Sequence, residues 1–451
     1  MIRTFFSALL VVTLLLSGTP IAVTAGGATT STNVNSLGLT AAYDVSATFG
    51  WDDRRVIVDT TATVTGNMPW TTARLAFNVS TLRTGRARLG DVTVDGQQVE
   101  AQVVDQTLIV PMPAPLEPGT SAVVRIEYSA RLHASPRPDS DEWGFARTGD
   151  MLTAYRWIPW LTRTTRFDRP SVGDPFVTAS SPSVRVALTV DRDVVFATSG
   201  EQVSASGLTK VFSASNVRDF NFSASPSYRT TSRTVRGTTL TFFHRQLSAG
   251  EVLDVTARAF ADFSDRVGDY PYPQLNIAEI GPWAALESPS LFWLPENSPR
   301  RLLPWMVAHE TAHQWFYSVV GNDQAREPFA DEAIADFVAR SLISRFVPSQ
   351  CPTDLLDQTI YDLGECYPWV VYVQGVAYLR EYRQRVGGHD FWRGVSDYYT
   401  DHRFGMGGTR ELLAALDAAA GRPWGHDGRF PRLRPPVVVG LPLGPRLPGR
   451  L

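Results

Sequence analysis

His309 and His313 stand four residues apart, and Glu310 follows the first of them. On a helix that spacing sets two imidazoles one turn apart on one face, where they can grip a single metal ion. A carboxylate beside them can take a proton from a water that the metal has made acidic. A helix is what the surrounding residues predict. Leu302, Trp305, Met306, His309, Ala312, His313, Phe316 and Val320 recur at intervals of three and four. Pro304 is tolerated in a first turn, and Gly321-Asn322 supplies a stop. Two histidines are also compatible with an ordinary packed helix. A catalytic zinc needs three protein ligands and one open position. Glu332 follows His313 after eighteen intervening residues, inside E-P-F-A-D-E-A-I-A-D-F. That stretch predicts a second helix, with Pro328 near its start and Phe329, Ala333, Ile334, Phe337 and Val338 facing inward. A turn over residues 321–325 would fold the two helices antiparallel and return Glu332 to the histidine pair.

The run H-E-T-A-H-Q-W-F, eighteen residues and then D-E-A-I-A resembles the zinc site of the aminopeptidase N family of gluzincins. Gln314-Trp315-Phe316 belongs to that family's pattern, not to zinc proteases at large. The resemblance implies His309, His313 and Glu332 as ligands of one zinc ion and Glu310 as general base. The chain departs from the family at Tyr317-Ser318, where Gly-Asn is usual, and at Ala333, where Gly is common. Residues 281–295, G-P-W-A-A-L-E-S-P-S-L-F-W-L-P, resemble the family's substrate-amine motif, normally Gly-x-Met-Glu-Asn. Only the glutamate is kept, as Glu287. A carboxylate on a strand edge beside the zinc would cap the cleft and bind the free α-ammonium of an extended peptide. Residues 371–379, V-Y-V-Q-G-V-A-Y-L, resemble the segment that carries the oxyanion tyrosine just before Lys-Gly. That match assigns the role to Tyr372, although Gln374 replaces the lysine, and Tyr361, Tyr367 and Tyr378 compete for it. Glu327 is a candidate acceptor for a ligand histidine.

The remaining chain must position these groups. A length of 451 residues exceeds one compact core, so two or three domains are expected. Residues 43–228 alternate with period two in several short runs, among them 184–190 and 211–215, and Asp95-Gly96 marks a hairpin turn. They predict an all-β sandwich, as the resemblance does, with V-R-D-F-N-F-S-A-S-P (217–226) similar to the family's closing strand. Trp143, Tyr155, Trp157 and Trp160 could line a cleft, but core packing is the commoner use of aromatics. Residues 229–422 turn to helical periodicity, with a turn and a strand over residues 271–280. The resemblance implies a thermolysin-like, mainly helical catalytic domain with a small sheet. His389 and His402 are expected at the surface or in packing.

A net charge of −3 gives no sign of a nucleic-acid partner. Lys210 is the only lysine. Residues 1–25 read as a cleavable secretory signal: Arg3, then an apolar run, then Val23-Thr24-Ala25. The run is short for a membrane span, and no later segment could form one. Residues 26–42 read as a linker. Export would place Cys351 and Cys366, the two cysteines, in an oxidising compartment where a pair tends to close; two buried thiols are the alternative. Residues 423–451 are rich in Pro, Gly and Arg, read as disordered, and suggest a truncated or frameshifted end.

Together these readings lead to a secreted zinc aminopeptidase acting on peptides. The degenerate amine motif keeps open a zinc endopeptidase with no free-amine preference. A secreted binding module with a decayed site is the third reading.

Overall fold

Period-two runs become strands because alternate side chains can then share one apolar side. Thr40–Phe49, Arg55–Thr65 and Ser121–Arg131 each alternate buried with exposed positions. The structure is a computed structural model. It describes residues 33–433 apart from 85, 138–139, 169–172, 283, 346–347 and 423–427. Those three strands lie side by side in an eight-stranded sheet, with Val184–Val190 parallel to Thr40–Phe49 on the other flank. Two four-stranded sheets complete the all-β N-terminal part. Trp143, Tyr155, Trp157 and Trp160 are buried, so they serve packing.

A five-stranded sheet opens the second part, in the order Arg229–Val235, Thr238–His244, Gln274–Ile280, Leu291–Pro295, Leu286–Ser288. The last strand is an edge, and Glu287 sits at its middle opposite Phe292. Around this sheet lie the helices Ala249–Arg266, Leu303–Ala312, Glu332–Leu342, Val376–Val386, Gly388–Asp401 and Thr409–Ala420. A β part followed by a mainly helical part with a small sheet is the architecture expected. Among the described residues, no helix is long and apolar enough to cross a membrane.

The histidine helix is shorter than its periodicity suggests. It runs Leu303–Ala312 and is capped by His313. The chain then turns tightly, and Ser318 N–H donates to His313 O at 3.0 Å while Val320 N–H donates to Trp315 O at 3.0 Å. Tyr317 adopts φ 113°, a conformation a bulky side chain takes only when its surroundings hold it. Its hydroxyl is held by Asp219 and by Arg156 Nη2. Arg218 clamps the same turn, donating to Gly405 O at 2.9 Å and reaching Ser318 O at 3.4 Å. It needs Gly321, where a Cβ would fall 1.9 Å from Arg218 Nη1. The V-R-D-F stretch of the β part therefore shapes the loop between the two ligand-bearing helices.

Cys351 and Cys366 form a disulfide. The predicted signal, most of the predicted linker and most of the predicted tail lie outside the described residues. The described piece of that tail is ordered: Phe430 is buried, with ring centroids 5.1 Å from Phe329 and 5.1 Å from Tyr378. Phe430 docks the run, and Arg432 holds it further through Asp357 and Arg326 O.

Candidate active site

Two helices bring three ligand atoms to one point. His309 Nε2 and His313 Nε2 are 3.1 Å apart. Glu332 Oε2 lies 3.2 Å from the first and 3.3 Å from the second. His309 and His313 come from the end of one helix, and Glu332 opens the next. Ligands about 2.0–2.1 Å from a tetrahedral zinc ion stand about 3.3 Å from one another. The triangle fits that geometry, and two imidazoles pointed at one buried carboxylate oxygen cannot satisfy one another by hydrogen bonds alone.

The outer nitrogens show how the ligands are held. His313 Nδ1 faces Phe316 O at 3.0 Å and Asp331 Oδ1 at 3.1 Å. Both neighbours accept, so Nδ1 carries the proton and Nε2 presents its lone pair to the centre. His309 Nδ1 lies 3.8 Å from Asp336 Oδ1, and its ring stacks on Trp305. Asp336 is fixed in turn by Trp305 Nε1 at 2.7 Å and Arg340 Nη2 at 2.7 Å. Asp331 and Asp336 thus take the place proposed from sequence for Glu327. That residue instead lies against Gly408 and feels the charge of Glu411. The correction has a simple origin: the short turn at residues 328–330 carries Glu327 away, whereas Asp331 and Asp336 flank Glu332 on its own helix. The Asp336–Arg340 pair, four apart, is a signal the sequence does offer.

Glu310 is buried beside the triangle, and its Oε2 makes no hydrogen bond. Burial pushes its carboxyl up to about 8; nearby Glu332 and Asp331 add to the rise and His313 opposes it. Tyr372 lies against His309, ring centroids 5.8 Å apart, with its hydroxyl in reach of Glu332 and Tyr367. Its segment approaches so closely because residue 375 is glycine, where a Cβ would stand 2.7 Å from Ala333 Cβ. Of the competing tyrosines, Tyr361 donates to Arg166 O, and Tyr378 packs on Phe329 and Phe430. Tyr367 stays beside Tyr372, with ring centroids 5.8 Å apart. His389 is exposed and His402 packs on Tyr398, outside the ligand group.

Glu287 is buried on its edge strand and faces the same cleft. Burial drives its carboxyl well above the usual range; His313 opposes this, and Asp174, Asp331 and Glu332 reinforce it. Gln314, the residue after His313, pins that strand. Its Oε1 accepts from Ser290 N at 3.0 Å, and its Nε2 donates to Ser288 O at 3.0 Å. Sequence reasoning marks Gln314 only as part of a pattern; the structure gives it this positioning role.

A polar cluster from distant segments backs Glu287. Gln324 donates from Nε2 to Glu287 Oε1 at 2.9 Å and to Asp331 Oδ2 at 2.8 Å, and its Oε1 accepts from Arg156 Nη2 at 3.2 Å. Arg156 also faces Asp174 at 3.5 Å and Asp219 at 3.7 Å, with its guanidinium 3.8 Å from the Phe176 ring centroid. Neither Arg156 nor Gln324 stands out in the sequence, because no local spacing links residues this far apart. Even with Arg156 present, buried carboxyl groups dominate the cleft, an environment that favours bound cations.

No family model matches the chain. Curated relatives match parts of it. Aminopeptidase 2, mitochondrial, of Saccharomyces cerevisiae is 24% identical over 299 residues, 57% of this chain and 31% of that protein. Aminopeptidase N of Streptomyces lividans is 23% identical over 215 residues, 39% and 25% of the two chains. The chain spans less than a third of the length of the curated relatives it matches. Among solved structures, an M1 zinc metallopeptidase from Deinococcus radiodurans superposes with TM-score 0.65 at 20% identity, covering 85% of this chain and 91% of that one. A mutant of that metallopeptidase bound to a Tyr-Ser-Ala substrate gives TM-score 0.64 at 19% identity, covering 85% and 91%. The relatives bear out the resemblance to the aminopeptidase N family, and the solved structures bear out the fold.

Proposed function

We propose that the protein is a zinc-dependent aminopeptidase that removes residues from the N-terminus of peptides. The observation that carries this reading is the 3.1–3.3 Å triangle of His309 Nε2, His313 Nε2 and Glu332 Oε2 with Glu287 on the neighbouring strand edge. His309, His313 and Glu332 would hold the ion. Bound there, zinc supplies Lewis acidity that polarises a scissile carbonyl and makes water nucleophilic near neutral pH.

The chain's own groups do the rest. Glu310 takes the proton of the attacking water and later delivers it to the leaving amine. Its Oε2, buried and without a hydrogen-bond partner, is placed to take that proton. The Tyr372 hydroxyl donates a hydrogen bond to the oxyanion of the tetrahedral state. Glu287 receives the substrate's α-ammonium, which sets the first peptide bond over the reacting groups. The strand Leu286–Ser288, last in its sheet, accepts the peptide backbone as an added strand.

Glu287 also bears on the endopeptidase alternative. A buried carboxylate beyond the metal occupies the space an N-terminal extension would need and requires a cation for its charge. Secretion rests on the sequence pattern of residues 1–25, and the Cys351–Cys366 disulfide supports an oxidising compartment.

The test pairs zinc content with hydrolysis of aminoacyl-arylamides. The parent protein should hold one zinc per chain and cleave free-amine substrates. Glu310→Gln should keep the zinc and lose about 10²–10⁴-fold in kcat. A variant that keeps full activity would remove Glu310 from the mechanism, and a parent that binds no zinc would defeat the proposal.

A further inference from the structure

The helix that opens with Glu332 ends in a different electrostatic setting. Its last turn and the residues that follow, with Val376–Val386, border an open concavity of about 610 Å³ lined by Arg340, Arg345, Arg380, Arg383, Ser341 and Ser344. Among the described residues, no carboxylate lines it. Arg340 is already committed to Asp336 at 2.7 Å. Arg345 lies over the Trp305 ring, 4.0 Å from its centroid, and Arg383 lies 5.8 Å from that of Trp392. Among the described residues, no carboxylate pairs with Arg345, Arg380 or Arg383. Other arginines of the chain, such as Arg125, Arg185 and Arg233, each face an acid. Burial and the neighbouring Arg340 lower the pKa of Arg345, and Asp336 opposes them.

Four arginines lining one concavity, with two hydroxyls in its wall, offer the donors that phosphate oxygens accept. A single carboxylate would leave the three uncompensated arginines in excess. We propose that this cavity is a binding site for a phosphate-bearing, multiply charged anion, separate from the metal cleft. The same chemistry is offered by a free pyrophosphate group and by an anionic phospholipid headgroup. The site needs no part of the peptidase reading.

The test uses the full chain and two probes at low ionic strength, where such contacts are least screened. Inorganic pyrophosphate is titrated calorimetrically, and phosphatidylglycerol vesicles are tested by co-sedimentation. The double variant Arg380→Gln/Arg383→Gln removes two pocket charges. Arg125→Gln/Arg185→Gln, with the same net-charge change on the β part, is the control. Binding of pyrophosphate that weakens at least about tenfold in the pocket variant but not in the control is the expected result. Vesicle binding that pyrophosphate displaces, with the same variant pattern, supports the site and names the headgroup as its source. Absence of binding to either probe, or equal weakening in pocket and control variants, would overturn the proposal. Circular dichroism of the variants separates loss of binding from loss of fold.

Discussion

The cleft has two corners that solve the burial of charge in opposite ways. At the metal corner, His309, His313 and Glu332 come from two adjoining helices, and Asp331 and Asp336 hold the histidines from beside Glu332. The order is local, and every group is aimed at a point that a doubly charged ion would fill. At the amine corner, Glu287 is braced by Gln324, and behind it lie Arg156, Asp174 and Asp219 from distant parts of the chain. Charge there is partly neutralised by protein, by a guanidinium, before any substrate arrives. The metal corner is therefore expected to depend on its ion, and the amine corner on the packing of the β part against the catalytic part. A ligand shell can be exchanged with the medium; a buried arginine cannot.

Gln324 joins the corners, so changing it strikes both. Gln324→Leu would leave Glu287, Asp331 and Arg156 each short of one buried partner. A loss of about 1–3 kcal/mol for each such group should appear as a markedly lower unfolding midpoint in urea. Zinc affinity and KM for free-amine substrates should worsen together. If only one of them moves, the two corners are independent and the bridge is incidental.

A change confined to the metal corner should be smaller and one-sided. Asp331→Asn keeps the shape but weakens the hold on His313 Nδ1. Zinc affinity should fall about 10–100-fold, measured by competition with a chelating dye, while the ratio of free to N-blocked substrate cleavage stays the same. A shift in that ratio would show that Asp331 serves the amine corner as well.

The smallest expected effect is on pH. The Glu310 carboxyl is raised from 4.5 to about 8 without an ion. The proposed mechanism uses its base form, so kcat/KM should rise as pH rises through its pKa. A bound cation favours the ionised form, so in the zinc-loaded enzyme the acid limb should lie between those two values. The limb should be absent from whatever activity Glu310→Gln retains.

The two corners also differ in how far the sequence reveals them. His309 and His313 are legible because helix geometry converts a spacing of four directly into proximity, whereas Glu332 and the role of Glu310 come from the resemblance to a family motif. The strand at 184–190 is legible because alternation converts into burial. The end of the histidine helix is not. The apolar period continues to Val320, but Asp219 and Arg156 hold the Tyr317 hydroxyl and force the turn from outside. Arg156 itself stands inside an aromatic stretch that reads as core, and the core it belongs to is a charged one. Long-range polar pairing leaves no periodic trace, so Glu287 could be named from its likeness to a family motif while its supports could not.

The central claim is that Glu287 selects a free N-terminus. The direct measurement compares kcat/KM for a peptide and its N-acetylated form, in the zinc-loaded parent and in Glu287→Gln. The parent should prefer the free amine by about 10²-fold or more, as expected for a desolvated charge pair worth about 3 kcal/mol. Glu287→Gln should lose most of that preference by raising KM for the free amine. Equal cleavage of both peptides by the parent would contradict the account and favour an endopeptidase.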